Sequence, residues 1–277
     1  MQARMSPTRE QIAAARAGFP ARAGSKKLIA ARSALARELW DAKGARRIPA
    51  PKALDRALSA LPPAELAWLT EMSPMGPLYL FPTRPFLRAL ARQIRALGVT
   101  RVLEVAAGDG HLSRALASVA PDLKITASDS GSWARPSGRM SAKEKRAMGR
   151  ARAAELGGIV LGEDVLPLDA LRAIAKVRPQ LVLASWLPPG PLLSKLIRAP
   201  VKFVLEIGAG SGITGDAACW RFAHDFCDGP LETLARCRLD DRPARALHSR
   251  VTLYFGRKHA EFLEEKLGAD HWLRSLR

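Results

Sequence analysis

The sequence predicts an α/β fold, a mostly parallel seven-stranded sheet with helices on both faces, preceded by an N-terminal helical extension. Two observations carry that expectation. Beyond Gly98, short apolar runs of strand length alternate with helical patterns, and strands that alternate with helices pair in parallel through crossover connections. At 102–110 the run VLEVAAGDG sets a strand, an acid and a glycine turn directly ahead of a helix beginning near His111. Such a turn lies beyond the carboxyl end of its strand, where open α/β sheets bind their ligands. With 277 residues the chain can bury a large core, and one α/β domain with an appendage fits that length.

Along the chain, the first 50 residues are rich in Ala and Arg and poor in acids, and are interrupted by Gly18, Pro20, Gly24, Gly44 and Pro49. They read as a basic arm, with an organellar transit segment as the alternative, because an Arg-rich, acid-poor composition is also that signature. Leu28, Ile29, Leu35, Leu39 and Trp40 recur near helical spacing, so 26–40 is expected to be a docked helix. Leu54, Leu58 and Leu61 repeat the pattern before Pro62-Pro63, and Leu66 and Leu69 continue it. A helix is expected over 85–97, with Phe86, Leu87, Leu90, Ile94 and Leu97 on one face and Gly98 as its stop. Strands are expected at 102–106, 124–127, 159–161, 181–184, 201–207, around 234–239 and at 250–256. The aromatic stretch holding Asp225 and Asp228 is expected to be helical.

Composition narrows the classes of function. The apolar share of 48% and mean hydropathy of −0.06 are those of a globular protein, and no run approaches the roughly 18 apolar residues that cross a bilayer. Cys219, Cys227 and Cys237 match no zinc spacing, so no metal is expected, and they read as reduced cysteines of a cytoplasmic protein. The formal charge of +18 is uneven. Residues 1–60 hold thirteen basic residues against Glu10, Glu38, Asp41 and Asp55, and seven more lie between Arg135 and Arg152 against Glu144. Such clusters suit RNA or another polyanion, although base composition of the gene accounts for an Arg-rich surface equally well. Aromatics at 6% are thin for a base-stacking platform.

The glycine turn carries the most specific signal. Gly108 and Gly110 let the backbone approach a nucleotide-like ligand, and the following helix offers N–H groups at its start. A dinucleotide site needs G-x-G-x-x-G, and Ser113 occupies the third glycine position. The spacing resembles instead the acidic-x-Gly-x-Gly-x-Gly motif of class I, Rossmann-like, S-adenosylmethionine-dependent methyltransferases, here Glu104, Ala106, Gly108 and Gly110. Ala106 in place of the first glycine narrows the turn without adding a bulky group. The resemblance implies that Asp129, closing the strand KITASD, accepts both ribose hydroxyls, and that Asp164, after the third strand, meets the adenine amino group. A second run, VKFVLEIGAGSG, ends with Glu206, Gly208, Gly210 and Gly212. It has no second strand ending in an acid behind it, so it is read as the loop after the fifth strand, bordering the acceptor.

The loop after the fourth strand, SWLPPG, stands at the family's catalytic position. It resembles the Asn/Asp/Ser-Pro-Pro-aromatic motif of amine methyltransferases, but Trp186 and Leu187 separate Ser185 from the prolines and Gly190 replaces the aromatic, so nitrogen specificity is not carried over. Ser185 and Trp186 are the catalytic candidates, and Ser185 also borders the cofactor. The expected cofactor is S-adenosyl-L-methionine, and the acceptor is a small molecule, a peptide or RNA, methylated on O or N. Residues 1–97 form the basic arm and helical extension covering the acceptor site, and 98–277 the cofactor-binding domain. The alternative is a catalytically inactive binding or regulatory subunit on the same fold. His111, His224, His248, His259 and His271 stand in no triad or metal spacing and are expected to be structural or exposed.

Overall fold

Ser25 starts the first helix by accepting a hydrogen bond from the Leu28 amide at 3.2 Å, and α1 (Lys26–Leu39) follows. The helix expected over 26–40 is therefore present. Pro51, whose missing N–H costs nothing in a first turn, opens α2 (Pro51–Ser59). Leu35, Leu39 and Trp40 pack with Leu54, Leu58, Leu61, Leu78 and Phe81 into a core of their own, while Ile29 stays exposed. Arg32 is buried, and its Nε donates to Glu65 Oε2 at 2.7 Å.

In this computed structural model the described residues are 24–41, 45–62, 65, 78–131, 161–208, 214–227, 231 and 250–259. The chain divides into two compact units. One comprises Met1–Pro85, Gly131–Glu163 and Arg236–Leu247 and contains the α1–α2 core. The other comprises Phe86–Ser130, Asp164–Ala235 and His248–Arg277 and contains the sheet. The basic arm to residue 23 and the cluster between Arg135 and Arg152 lie outside the described residues, as do Cys237, His248, His271, Leu66 and Leu69.

In the sheet unit, α3 (Arg84–Ala96) buries Phe86, Leu87, Leu90 and Ile94, and Gly98 follows with φ +65°, a left-handed stop. The strands are β1 (Arg101–Val105), β2 (Lys124–Ser128), β3 (Val165–Leu166), β4 (Leu181–Ser185), β5 (Phe203–Gly208), β6 (His224–Phe226) and β7 (Arg250–Phe255). They pair in the order β3-β2-β1-β4-β5-β7-β6; the first five are parallel, β7 runs antiparallel to β5, and β6 antiparallel to β7. The fold is thus a mostly parallel, seven-stranded, Rossmann-like α/β sheet. Side chains alternate between its faces. Leu103, Val105, Val182, Ala184 and Val204 turn to the face covered by α5 (Ala170–Val177) and α6 (Leu192–Ile197). Glu104, Leu183 and Leu205 share a register row on the opposite face, where α4 (His111–Ala117) reaches Glu104.

Two expected strands lie elsewhere. The third is Val165–Leu166, not 159–161: Leu161 is outside any strand, and 159–160 lie outside the described residues. Only two residues separate Asp164 from Pro167, which cannot donate to a ladder, so the real edge strand is too short to register as an apolar run. The sixth strand is His224–Phe226, in the stretch expected to be helical, and 234–239 lies outside the described residues. Ring contacts explain it. His224 lies 5.3 Å from Trp220, 5.3 Å from Phe226 and 5.6 Å from Tyr254, and such aromatic neighbours stabilise a cross-strand pair. His259 packs on Phe203 and Phe255, at 5.0 Å and 4.9 Å between ring centroids. No described helix is long and apolar enough to cross a membrane.

Candidate functional site at the switch point of the sheet

The strand order reverses between β1 and β4, since β2 and β3 lie to one side of that pair and β5 to the other. Connections diverge there, and the crevice beyond the carboxyl ends is where such sheets bind ligands. Of the described site residues expected from the sequence, Ala106, Gly108, Gly110, Asp129, Ser185 and Trp186 stand at this edge, whereas Glu104 lies within β1 and Asp164 precedes β3.

Beyond β1, the chain turns through Ala106 (φ 52°), Gly108 (φ 57°) and Gly110 (φ 74°). Three left-handed residues in five fold the loop back onto β2, where the Ala107 amide donates to Ser128 O at 3.0 Å and the Gly108 amide to Asp129 Oδ2 at 2.9 Å. Asp129 is buried just past β2, its own amide donating to Leu166 O at 3.0 Å. Gly110 is required twice over: its φ favours glycine, and a Cβ there would meet Val165 Cγ2 at 2.7 Å. Ala106 does more than narrow the turn. It holds a left-handed conformation that costs an L-residue about 1 kcal/mol, a strain that a glycine at this position relieves.

The start of α4 is not left open to a ligand in the way the sequence suggests. Gly110 caps it without a side chain, and two acidic side chains accept from amides of its first turn. Asp109 Oδ1 accepts from the His111 amide at 3.0 Å, and Glu104 Oε2 accepts from the Ser113 amide at 2.9 Å and the Ser113 hydroxyl at 2.5 Å. Glu104 is therefore buried against α4, tying β1 to the helix that follows. Burial pushes its carboxyl up to about 8, the Asp109 charge adds to the shift, and the hydrogen bonds from Ser113 oppose it.

Asp164 directly precedes β3 instead of following the third strand. Its Oδ1 accepts from Arg114 Nη1 at 2.8 Å, and the same Arg114 nitrogen donates to Asp109 O at 2.7 Å. Both side chains of this pair are about half exposed, so it orients more than it stabilises. Asp164 nevertheless borders the glycine loop, its Oδ1 lying 3.7 Å from where a Cβ on Gly110 would sit.

Across the switch point, Ser185 ends β4 one residue past the Val105–Ala184 pair, and so faces the start of the glycine loop. Trp186 follows with φ 51°, held by its amide donating to Ile207 O at 2.7 Å. A bulky residue at positive φ is strained. Only Arg178, at the end of α5, shares this feature with Ala106 and Trp186 among the described non-glycine residues. Of the second glycine run, Glu206 and Gly208 lie within β5, and Gly210 and Gly212 lie outside the described residues. There Glu206 is buried, accepts from the Thr214 hydroxyl at 2.9 Å, and is raised above the ordinary carboxylate range by burial. No group of His, Cys, Asp and Glu suited to a metal occurs among the described residues.

Ser113, Thr214, Asp216 and Ser194 were not singled out by sequence reasoning. The two hydroxyls had a signal: each follows a strand-ending Glu, by nine residues in the first loop and eight in the second.

No known family profile and no curated protein matches the sequence. Among solved structures, the chain is similar to human N-acetylserotonin methyltransferase in complex with SAM, at 11% identity and TM-score 0.34 over 62% of this chain and 51% of that one. It is also similar to the O-methyltransferase TomG from Streptomyces achromogenes in complex with SAM, at 14% identity and TM-score 0.33 over 70% and 88%. The citrinin polyketide synthase CMeT domain matches at 11% identity and TM-score 0.36 over 82% and 65%. The chain thus spans about half the length of the human protein and about two thirds of the citrinin domain. These likenesses are too slight to bear on activity, and the fold rests on the strand order itself.

Two outcomes are expected. In urea melts Ala106→Gly should raise stability by no more than about 0.5 kcal/mol, a strain of about 1 kcal/mol relieved less roughly 0.5 kcal/mol or more of added chain entropy. Glu104 binds its proton more tightly folded than unfolded, so stability is highest below about pH 4.5 and falls as pH rises towards about 8. Melts from pH 5 to 9 should show a loss on the order of 4 kcal/mol from this group, and Glu104→Gln should flatten that slope.

Proposed function

We propose that the chain is an S-adenosylmethionine-dependent methyltransferase acting on an O or N acceptor. The observation that carries the reading is the tether between Asp129 and the Gly108 amide at the switch point, 2.9 Å long. It fixes a buried carboxylate beside a backbone turn, an arrangement suited to the adjacent hydroxyls of a ribose. The donor set fits a nucleoside throughout: Asp129 for the ribose, the turn from Ala106 to Gly110 for close backbone approach, and Asp164 at the rim for an exocyclic amino group.

The bound cofactor supplies a methyl group on a positively charged sulfur, already activated for displacement. The residues of this chain then have to align and desolvate rather than to activate a nucleophile by covalent chemistry. Ser185 and Trp186, at the end of the strand next to β1, are the residues that would meet the acceptor and the methyl carbon. The Ser185 hydroxyl would serve as a hydrogen-bond partner orienting the acceptor's O–H or N–H, and the Trp186 ring would offer a face to the sulfonium, a contact of cation–π type. The strain at Ala106 and Trp186, one on each side of the crevice, supports the reading, since such strain concentrates at functional sites.

Calorimetry on the purified chain tests the reading. SAM and its demethylated product should both bind, Asp129→Ala should weaken them by about 1.5–3 kcal/mol, and Gly108→Val should abolish binding. Heat with NAD but with neither of those ligands defeats the reading.

The acceptor is tested by charge. Changing Arg135, Arg139, Lys143 and Lys145 to Glu should abolish methylation while SAM affinity stays intact, if the acceptor is RNA or another polyanion. Unchanged activity on a neutral small molecule instead assigns the charge to surface composition.

A further inference from the structure

We propose that Asp216 is a positioning residue that locks the loop carrying Ser185 and Trp186 to the glycine loop after β5, and so shapes the acceptor side of the crevice; the acceptor assignment rests on the methyl-transfer reading above. The loop after β4 is held at its start, where the Trp186 amide donates to Ile207 O on β5. Its far end is held from the segment Thr214–Asp216. The Gly190 amide donates to Gly215 O at 2.9 Å, and both polar groups of Ser194 converge on one carboxylate. The Ser194 hydroxyl donates to Asp216 Oδ1 at 2.7 Å and its amide to Oδ2 at 3.3 Å, while the Ala218 amide also donates to Oδ1 at 3.0 Å.

Packing closes the joint. Gly215 has φ +64°, and a Cβ there would meet Leu193 Cδ2 at 2.8 Å, so the two segments lie backbone to side chain with no room between. On the other side of Gly215, the Thr214 hydroxyl donates to buried Glu206 and fills the space where a Cβ on Gly208 would stand. Three consecutive residues thus connect two loops: Thr214 anchors to β5, Gly215 admits Leu193, and Asp216 grips Ser194. Ser194 is buried, so its hydroxyl depends on that carboxylate for its bond. The carboxylate of Asp216 bonds to Ser194 and Ala218, and the Asp129 carboxylate to Gly108, so among the described residues the two acids serve separate hydrogen-bond groups.

The test uses the full chain with Asp216→Ala, Ser194→Ala and Ser194→Thr, and three measurements. Hydrogen exchange of the Leu187, Gly190, Leu192 and Leu193 amides should quicken about tenfold in the two Ala variants, the equivalent of one lost charge-assisted hydrogen bond, with β1 and β4 unchanged. Acrylamide quenching of Trp186, isolated by subtracting the Trp186→Phe protein, should rise in the same variants. Ser194→Thr, which keeps the hydroxyl, should behave as the unaltered chain. SAM affinity by calorimetry should change less than about threefold.

Unaltered exchange in Asp216→Ala or Ser194→Ala overturns the proposal, as does acceleration spread through β1 and β4 or a SAM affinity that falls with the loop. Should Asp216→Ala not fold, the Ser194 pair decides by itself. Absence of SAM binding to the unaltered chain defeats the methyl-transfer reading alone, because exchange and quenching are read without ligand.

Discussion

The crevice depends on a buried carboxyl group. Glu104 sits in the middle of a parallel sheet, where burying a charge is costly, and its proton stays on at neutral pH because burial favours the uncharged form. Through Ser113 it holds the first turn of α4, and the position of that turn sets the path of the five residues between strand and helix. Asp109 completes the cap from inside the loop, and Arg114 on α4 grips the loop carbonyl. The glycine turn is thus fixed from behind by its own helix and from the side by Asp129 on the neighbouring strand.

The chain uses nearly the same words twice, VLEVAAGDG after β1 and VLEIGAGSG after β5, and the neighbours of each strand decide what the words mean. Both strand-ending glutamates are buried, both accept from a hydroxyl of the returning chain, and both are raised by burial. β1 has parallel partners on both sides, so a strand-end carboxylate from β2 arrives at the same edge. β5 has β7 antiparallel beside it, and there the residue paired with Gly208 is Arg250, at the start of a strand. One loop therefore gains a carboxylate, Asp129, from the neighbouring strand, while the segment returning to the other is joined to the loop after β4.

How much of this was legible follows from burial and length. The central strands β1, β4 and β5 are buried on both faces, and continuous apolar runs such as LVLAS and FVLEIG announce such strands directly. The edge strands β3 and β6 have two and three residues, below what periodicity can register. Asp129 could be read because it closes a strand. Asp164 borders the glycine loop but stands on the other side of its strand from the one the sequence suggests, because the apolar run before it outweighs the two residues after it. The strain at Ala106 and Trp186 was invisible, since residue type records what a side chain is and not the sign of φ. The Asp216–Ser194 joint spans 22 residues, and no local pattern marks a contact at that distance.

The reversal of β7 has a geometric consequence. Because β7 is antiparallel to both β5 and β6, β6 points the same way as β5, and Phe226 pairs with Thr252 while Gly208 pairs with Arg250. Phe226 and Arg250 thus both stand at the carboxyl edge, the rim that holds Trp186 and the glycine turn after β1. Both ends are held by strand pairs, so the sheet fixes where the intervening chain departs and where it returns and leaves its length free to vary without a change of register.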